Sequence, residues 1–131
     1  MAIHCAPGET FQYPMFFRGI KPHLHIILTC PDEDNRFVVV SVSSLSSHPY
    51  PDLTVLLKKE CHRFIKHDSI VLYAKAEIWN VNLLQEYCCN SNAKPDEPIA
   101  QELLDRIKKG VFESRFTSQK VKNYCRRNMI F

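Results

Sequence analysis

Nine consecutive residues, Arg36-Phe37-Val38-Val39-Val40-Ser41-Val42-Ser43-Ser44, set the first limit on what this chain can fold into. Four valines and a phenylalanine, with neither glycine nor proline among them, favour an extended strand. Their nearly unbroken apolar character puts that strand at the centre of a sheet, covered on both faces. The preceding segment, His23 to Thr29, alternates. Leu24, Ile26 and Leu28 share one face, and His23, His25, Ile27 and Thr29 the other. Between the two, Pro31-Asp32-Glu33-Asp34-Asn35 has nothing to bury and reads as a turn.

Other strands follow from the same reasoning. Ser43 to Pro51 is a loop rich in hydroxyls and prolines, Leu53 to Leu57 a third strand, and the stretch between Gly8 and Gly19 holds an earlier one. The longest alternation runs from His67 to Ile78. It predicts Ile70, Leu72, Ala74, Ala76 and Ile78 facing inward and His67, Ser69, Val71, Tyr73, Lys75 and Glu77 on the opposite face. Short strands with little helix between them predict a small antiparallel β-barrel or a strongly curved sheet. After Trp79 the pattern turns helical, which makes the class α+β. Val81 to Tyr87 fits a short helix and Asn90 to Lys94 a linker. Asp96-Glu97-Pro98 opens a helix through Ile99, Leu103, Leu104 and Ile107, stopped by Gly110, and Thr117 or Ser118 caps another that ends at Arg126-Arg127.

At 131 residues the chain has room for one domain, read as a β unit over about 8–80 and a helical extension over 81–131. No apolar stretch approaches the roughly 20 residues of a membrane span. The three glycines are too scattered for a phosphate loop. The net charge of +3 divides unevenly: residues 1–100 hold nine Lys/Arg against eleven Asp/Glu, and residues 101–131 hold eight against three. A basic C-terminal part points to a polyanion as partner. The start, Met1-Ala2-Ile3-His4, lacks the layout of a secretory signal, so a cytoplasmic location and reduced thiols are expected. The six cysteines show no C-x-x-C pair and read as small buried hydrophobes rather than metal ligands, with no cofactor implied.

Candidate chemistry lies with the histidines, which exchange protons near neutral pH. Two of them flanking a phosphodiester can cleave RNA without metal, one accepting the 2′-hydroxyl proton and the other protonating the departing 5′-oxygen. His67, Ser69 and Tyr73 share a strand face, and His25 can join them from a neighbouring strand. His62 converges on them only if the chain turns around Arg63 to Lys66. A thiol or metal enzyme is a third reading, and bound zinc would reveal it.

The order of segments resembles the PemK/MazF-like toxins of bacterial toxin–antitoxin pairs. Lys21-Pro22 through Leu28-Thr29-Cys30-Pro31 is similar to the family's first element, Val38 to Ser47 to its second, Asp52 to Leu57 to its third and Phe64 to Ile78 to its last. The resemblance implies an SH3-like barrel and a metal-independent endoribonuclease acting on single-stranded RNA. It also implies an antitoxin protein as partner; a homodimer through the helices goes with the non-catalytic alternative below. Lys21 stands where the family has an arginine, and Ser43 or Ser44 where it has a loop Thr or Ser. On this reading His67, His25 and His62 carry the proton transfers, and Lys21, Ser43, Ser44, Ser69 and Tyr73 hold the phosphate. The alternative is a non-catalytic protein of a mobile element that binds a partner or nucleic acid through the same groove.

Overall fold

The computed structural model describes residues 3–14 and 21–129. Among them seven strands form one antiparallel sheet: β1 (Thr10–Pro14), β2 (Pro22–Ile27), β3 (Arg36–Ser44), β4 (Leu56–Leu57), β5 (Ser69–Val71), β6 (Glu77–Asn80) and β7 (Lys94–Asp96). Three α-helices, α1 (Val81–Cys89), α2 (Gln101–Glu113) and α3 (Gln119–Asn128), complete the α+β fold. The part of the expected first strand that falls on residues 15–20 lies outside the described residues. None of the described helices is long and apolar enough to cross a membrane.

β3 is the wall between two cores. Val38, Val40 and Val42 point into the larger one with Leu24, Ile26, Tyr73 and the α2 and α3 residues Leu104, Ile107, Val111, Val121 and Tyr124. Phe37 and Val39 point the other way, into a smaller core with Phe11, Ile27 and the α1 residues Leu84 and Cys88. The sheet is therefore covered by α1 on one face and by α2 and α3 on the other, as the valine run requires. α2 and α3 share the larger core with the strands, and α1 the smaller.

The pairing order is β4-β5-β3-β2-β1-β7, with β6 also on β3. β4 and β7 end this order unpaired with each other, so the sheet is open where the sequence predicts closure. A turn over Lys58–Ile65 occupies the gap, with Glu60 in the left-handed region at φ 70°. It reaches β7 and the residue after it through His62 Nε2–H, which donates to the Glu97 carbonyl at 2.7 Å, and through Arg63, which pairs with Asp96. Side chains bridge what a ladder would have closed.

Four local expectations need correction. The predicted His67–Ile78 strand is cut by a 3₁₀ turn, Tyr73–Lys75. Across it β3 advances from Val42 to Val39 while its partner advances from Val71 to Glu77, an excess of three residues. An odd excess inverts the alternation. Val71 before the turn and Tyr73 at its first position face the larger core; after it Ala76 and Ile78 do. The third strand shrinks to two residues because Asp52 Oδ1 accepts from the Thr54 N–H at 3.0 Å, making a turn that leaves Leu53 exposed. Lys94–Asp96 pair with Gln12 to Thr10, so α2 starts later, at Gln101.

Gly110 lies inside α2 rather than stopping it. A Cβ there would stand 2.0 Å from the Tyr73 hydroxyl oxygen, so the glycine is what lets that ring lie against the helix. The start of α3 follows expectation, the Ser118 hydroxyl accepting from Val121 N–H, and α1 has a cap the sequence reading did not name, the Asn80 side chain.

Candidate anion-binding cleft

β2 and β3 pair only over Ile27 to His25, and β3 then continues alongside β5. Where β2 parts from β3 while staying paired with β1, a cleft of about 550 Å³ opens between Lys21 to His23, the end of β3 and the segment Phe64 to Ser69. Its polar lining is Lys21, His23, Lys66 and His67 with Ser43, Ser44, Ser47 and Ser69. No Asp or Glu lines it among the described residues.

The cleft thus collects five of the residues singled out from sequence. Lys21 and His67 are exposed. The Ser69 hydroxyl donates to the His67 carbonyl at 2.7 Å and so steadies the backbone that carries the imidazole. Ser43 Oγ shares a 2.9 Å hydrogen bond with His48 Nε2, and Ser44 lies beside it. Two further members are His23, one of the clustered histidines near Lys21, and Lys66, which was not a candidate. Lys21 and His23 share a parity and Lys66 adjoins His67, which was the available signal. His23 Nδ1–H donates to the Val42 carbonyl at 3.0 Å, which leaves its Nε2 lone pair as an acceptor.

The other three candidates lie elsewhere. His25 is 6% exposed on the α1 side of the sheet, stacked on Phe11 at 5.1 Å between ring centres with Tyr13 and Trp79 at its edges. Burial pulls its pKa down to about 4, so the ring is neutral near pH 7. His62 has the turn it needs, but the turn directs it away. Its Nδ1 accepts from Phe64 N–H at 3.0 Å while its Nε2–H serves Glu97, so both ring nitrogens are committed to holding the loop. Tyr73 is fully buried and donates to the Ile107 carbonyl at 2.8 Å; burial raises the pKa of its hydroxyl far above the usual range. The reason is the inverted alternation: Tyr73 belongs to the core face.

The basic residues of α2 and α3 contribute nothing to the lining, so the cleft's positive charge is local to Lys21 and Lys66. Of the cysteines, Cys88 and Cys125 are buried as expected, whereas Cys30 and Cys89 are exposed. Among the described residues no three His, Cys, Asp or Glu side chains gather as a metal site. No protein-family model, curated protein or solved structure matches the chain.

Proposed function

We propose that this cleft binds the phosphodiester backbone of single-stranded RNA, and that the protein is a cytoplasmic, toxin-like endoribonuclease whose proton-transfer pair is His23 and His67. The observation that carries the proposal is a lining of two lysines, two histidines and four serines, with no carboxylate among the described residues. Such a lining favours a polyanion by charge and by hydrogen-bond donors. The SH3-like reading of the strands, and an antitoxin protein that would hold such a toxin in check, belong to the same proposal.

In the cleavage step, His23 Nε2 takes the proton of a ribose 2′-hydroxyl as that oxygen attacks the adjacent phosphorus. Protonated His67 gives its proton to the departing 5′-oxygen, leaving a 2′,3′-cyclic phosphate and a 5′-hydroxyl. Lys21 and Lys66 offset the charge that builds on the phosphorane. Lys21 does so as a point charge, without the two-pronged grip of an arginine.

Incubation with RNA in EDTA, with the products' ends identified, is the test. The wild type is expected to leave cyclic phosphate ends. His23→Ala and His67→Ala are each expected to lose roughly 10²–10⁴-fold in rate. RNA left intact by the wild type removes the catalytic part of the proposal.

A second reading keeps the binding and drops the cleavage. What favours it is that two of the three histidines expected to move protons, His25 and His62, are buried and hydrogen-bonded. It predicts RNA retained but intact, with an affinity that falls with salt and a salt slope reduced by about one for Lys66→Ala.

A further inference from the structure

On the far side of the Ser43–His48 hydrogen bond lies a second, smaller depression of about 220 Å³. It holds Tyr50, Ile70, Leu72 and Ala74 from one side and Phe116, from the link between α2 and α3, from the other. This volume is below the roughly 300 Å³ at which pockets for drug-sized ligands begin, and suits a single planar ring. Two aromatic rings at its rim are open to solvent, Tyr50 at 93% and Phe116 at 46%.

The exposure of Tyr50 is held in place. It lies between Pro49 and Pro51, whose rings fix their own backbone angles and restrict the residues before them to extended conformations. The ring is therefore presented on a stiff segment, and little chain freedom is lost when something stacks on it. Charge at the site favours an anionic strand. The Arg115 guanidinium lies over the Phe116 ring at 5.0 Å, and Lys75 lines the depression. Asp52, the one carboxylate among the described lining residues, accepts from the Ser114 hydroxyl at 2.7 Å and from Thr54, and its single negative charge stands against the two cations.

Resting on the proposed binding of RNA in the cleft, we infer that Tyr50 and Phe116 form a nucleobase-stacking site for the same strand. The Ser43–His48 pair is the shared wall. A phosphate seated in the cleft leaves the neighbouring unpaired base to stack on an exposed ring, as aromatic platforms do in proteins that bind single strands. Every base has a π face, so this site adds affinity without reading sequence.

Binding is measured by fluorescence anisotropy with two end-labelled oligomers. One is 2′-O-methyl oligouridylate, which has no free 2′-hydroxyl and cannot be cleaved by the route above. The other is a backbone of equal length carrying abasic spacers. Wild type is expected to prefer the base-bearing oligomer. Tyr50→Ala should weaken that oligomer roughly tenfold and leave the abasic one unchanged, whereas Tyr50→Trp should restore the preference. Lys66→Ala should weaken both alike. If Tyr50→Ala and Phe116→Ala bind both oligomers as wild type does while Lys66→Ala weakens them, the stacking site is overturned, the RNA-binding cleft stands, and the exposed rings fall to a protein partner. If wild type binds neither oligomer, both readings fall.

Discussion

Burying a histidine ring removes one of its two charge states from the folded protein. At His25 the folded ring titrates at about 4 and the unfolded ring at 6.5. The unfolded chain therefore binds the extra proton first, and stability present above pH 6.5 is lost as the pH falls toward 4. The linked loss is about 3 kcal/mol. Urea unfolding at a series of pH values should show this slope, and His25→Phe, which keeps a ring against Phe11 and Trp79, should flatten it. An unchanged slope would show that His25 is not the group responsible. The same residue shows how far the site was legible. Alternation in His23 to Thr29 yields parity, and it correctly separates Leu24, Ile26 and Leu28 from the histidines. It carries no information on what covers the opposite face. There the rings of Phe11, Tyr13 and Trp79 surround His25, while the parting of β2 from β3 brings His23 to the cleft, and both are long-range events.

Elements were legible where their signals are local and obscured where a distant element decides. The valines of β3 and the Ser118 cap of α3 act within a few residues of themselves. The 3₁₀ turn at Tyr73–Lys75 does not, because it exists with Tyr73 seated on α2 beside a glycine that lies 37 positions further along the chain. The two residues are therefore expected to be energetically coupled. Gly110→Ala alone forces a Cβ onto the Tyr73 hydroxyl and should cost on the order of 1–3 kcal/mol. Tyr73→Phe removes that oxygen together with its bond to the Ile107 carbonyl, a loss of roughly 1 kcal/mol. In the double variant the alanine should cost less than it does alone, a coupling that a double-mutant cycle of chemical unfolding would measure. Strict additivity would mean that the ring can move aside freely.

For the molecule as a whole, the division by charge into an acidic β part and a basic helical part does not match the division by packing. α2 and α3 supply Leu104, Ile107, Val111, Val121 and Tyr124 to the same core as the strands, and the Tyr124 hydroxyl donates to Asp32 at 2.7 Å in the β2–β3 turn. A chain ending at Ala100 is expected to lose its cooperative thermal transition and to bind a hydrophobic dye. A sharp transition in circular dichroism would instead establish the β part as independent. β3 leads to a different kind of consequence, because its side chains serve two cores in strict turn. One residue inserted between Phe37 and Val42 would send every later side chain of the strand to the wrong layer. The exposed Asn90–Asn92 turn could lengthen with only a small loop-closure cost. As related chains diverge, their lengths should therefore vary at such turns while the spacing from Phe37 to Val42 stays constant.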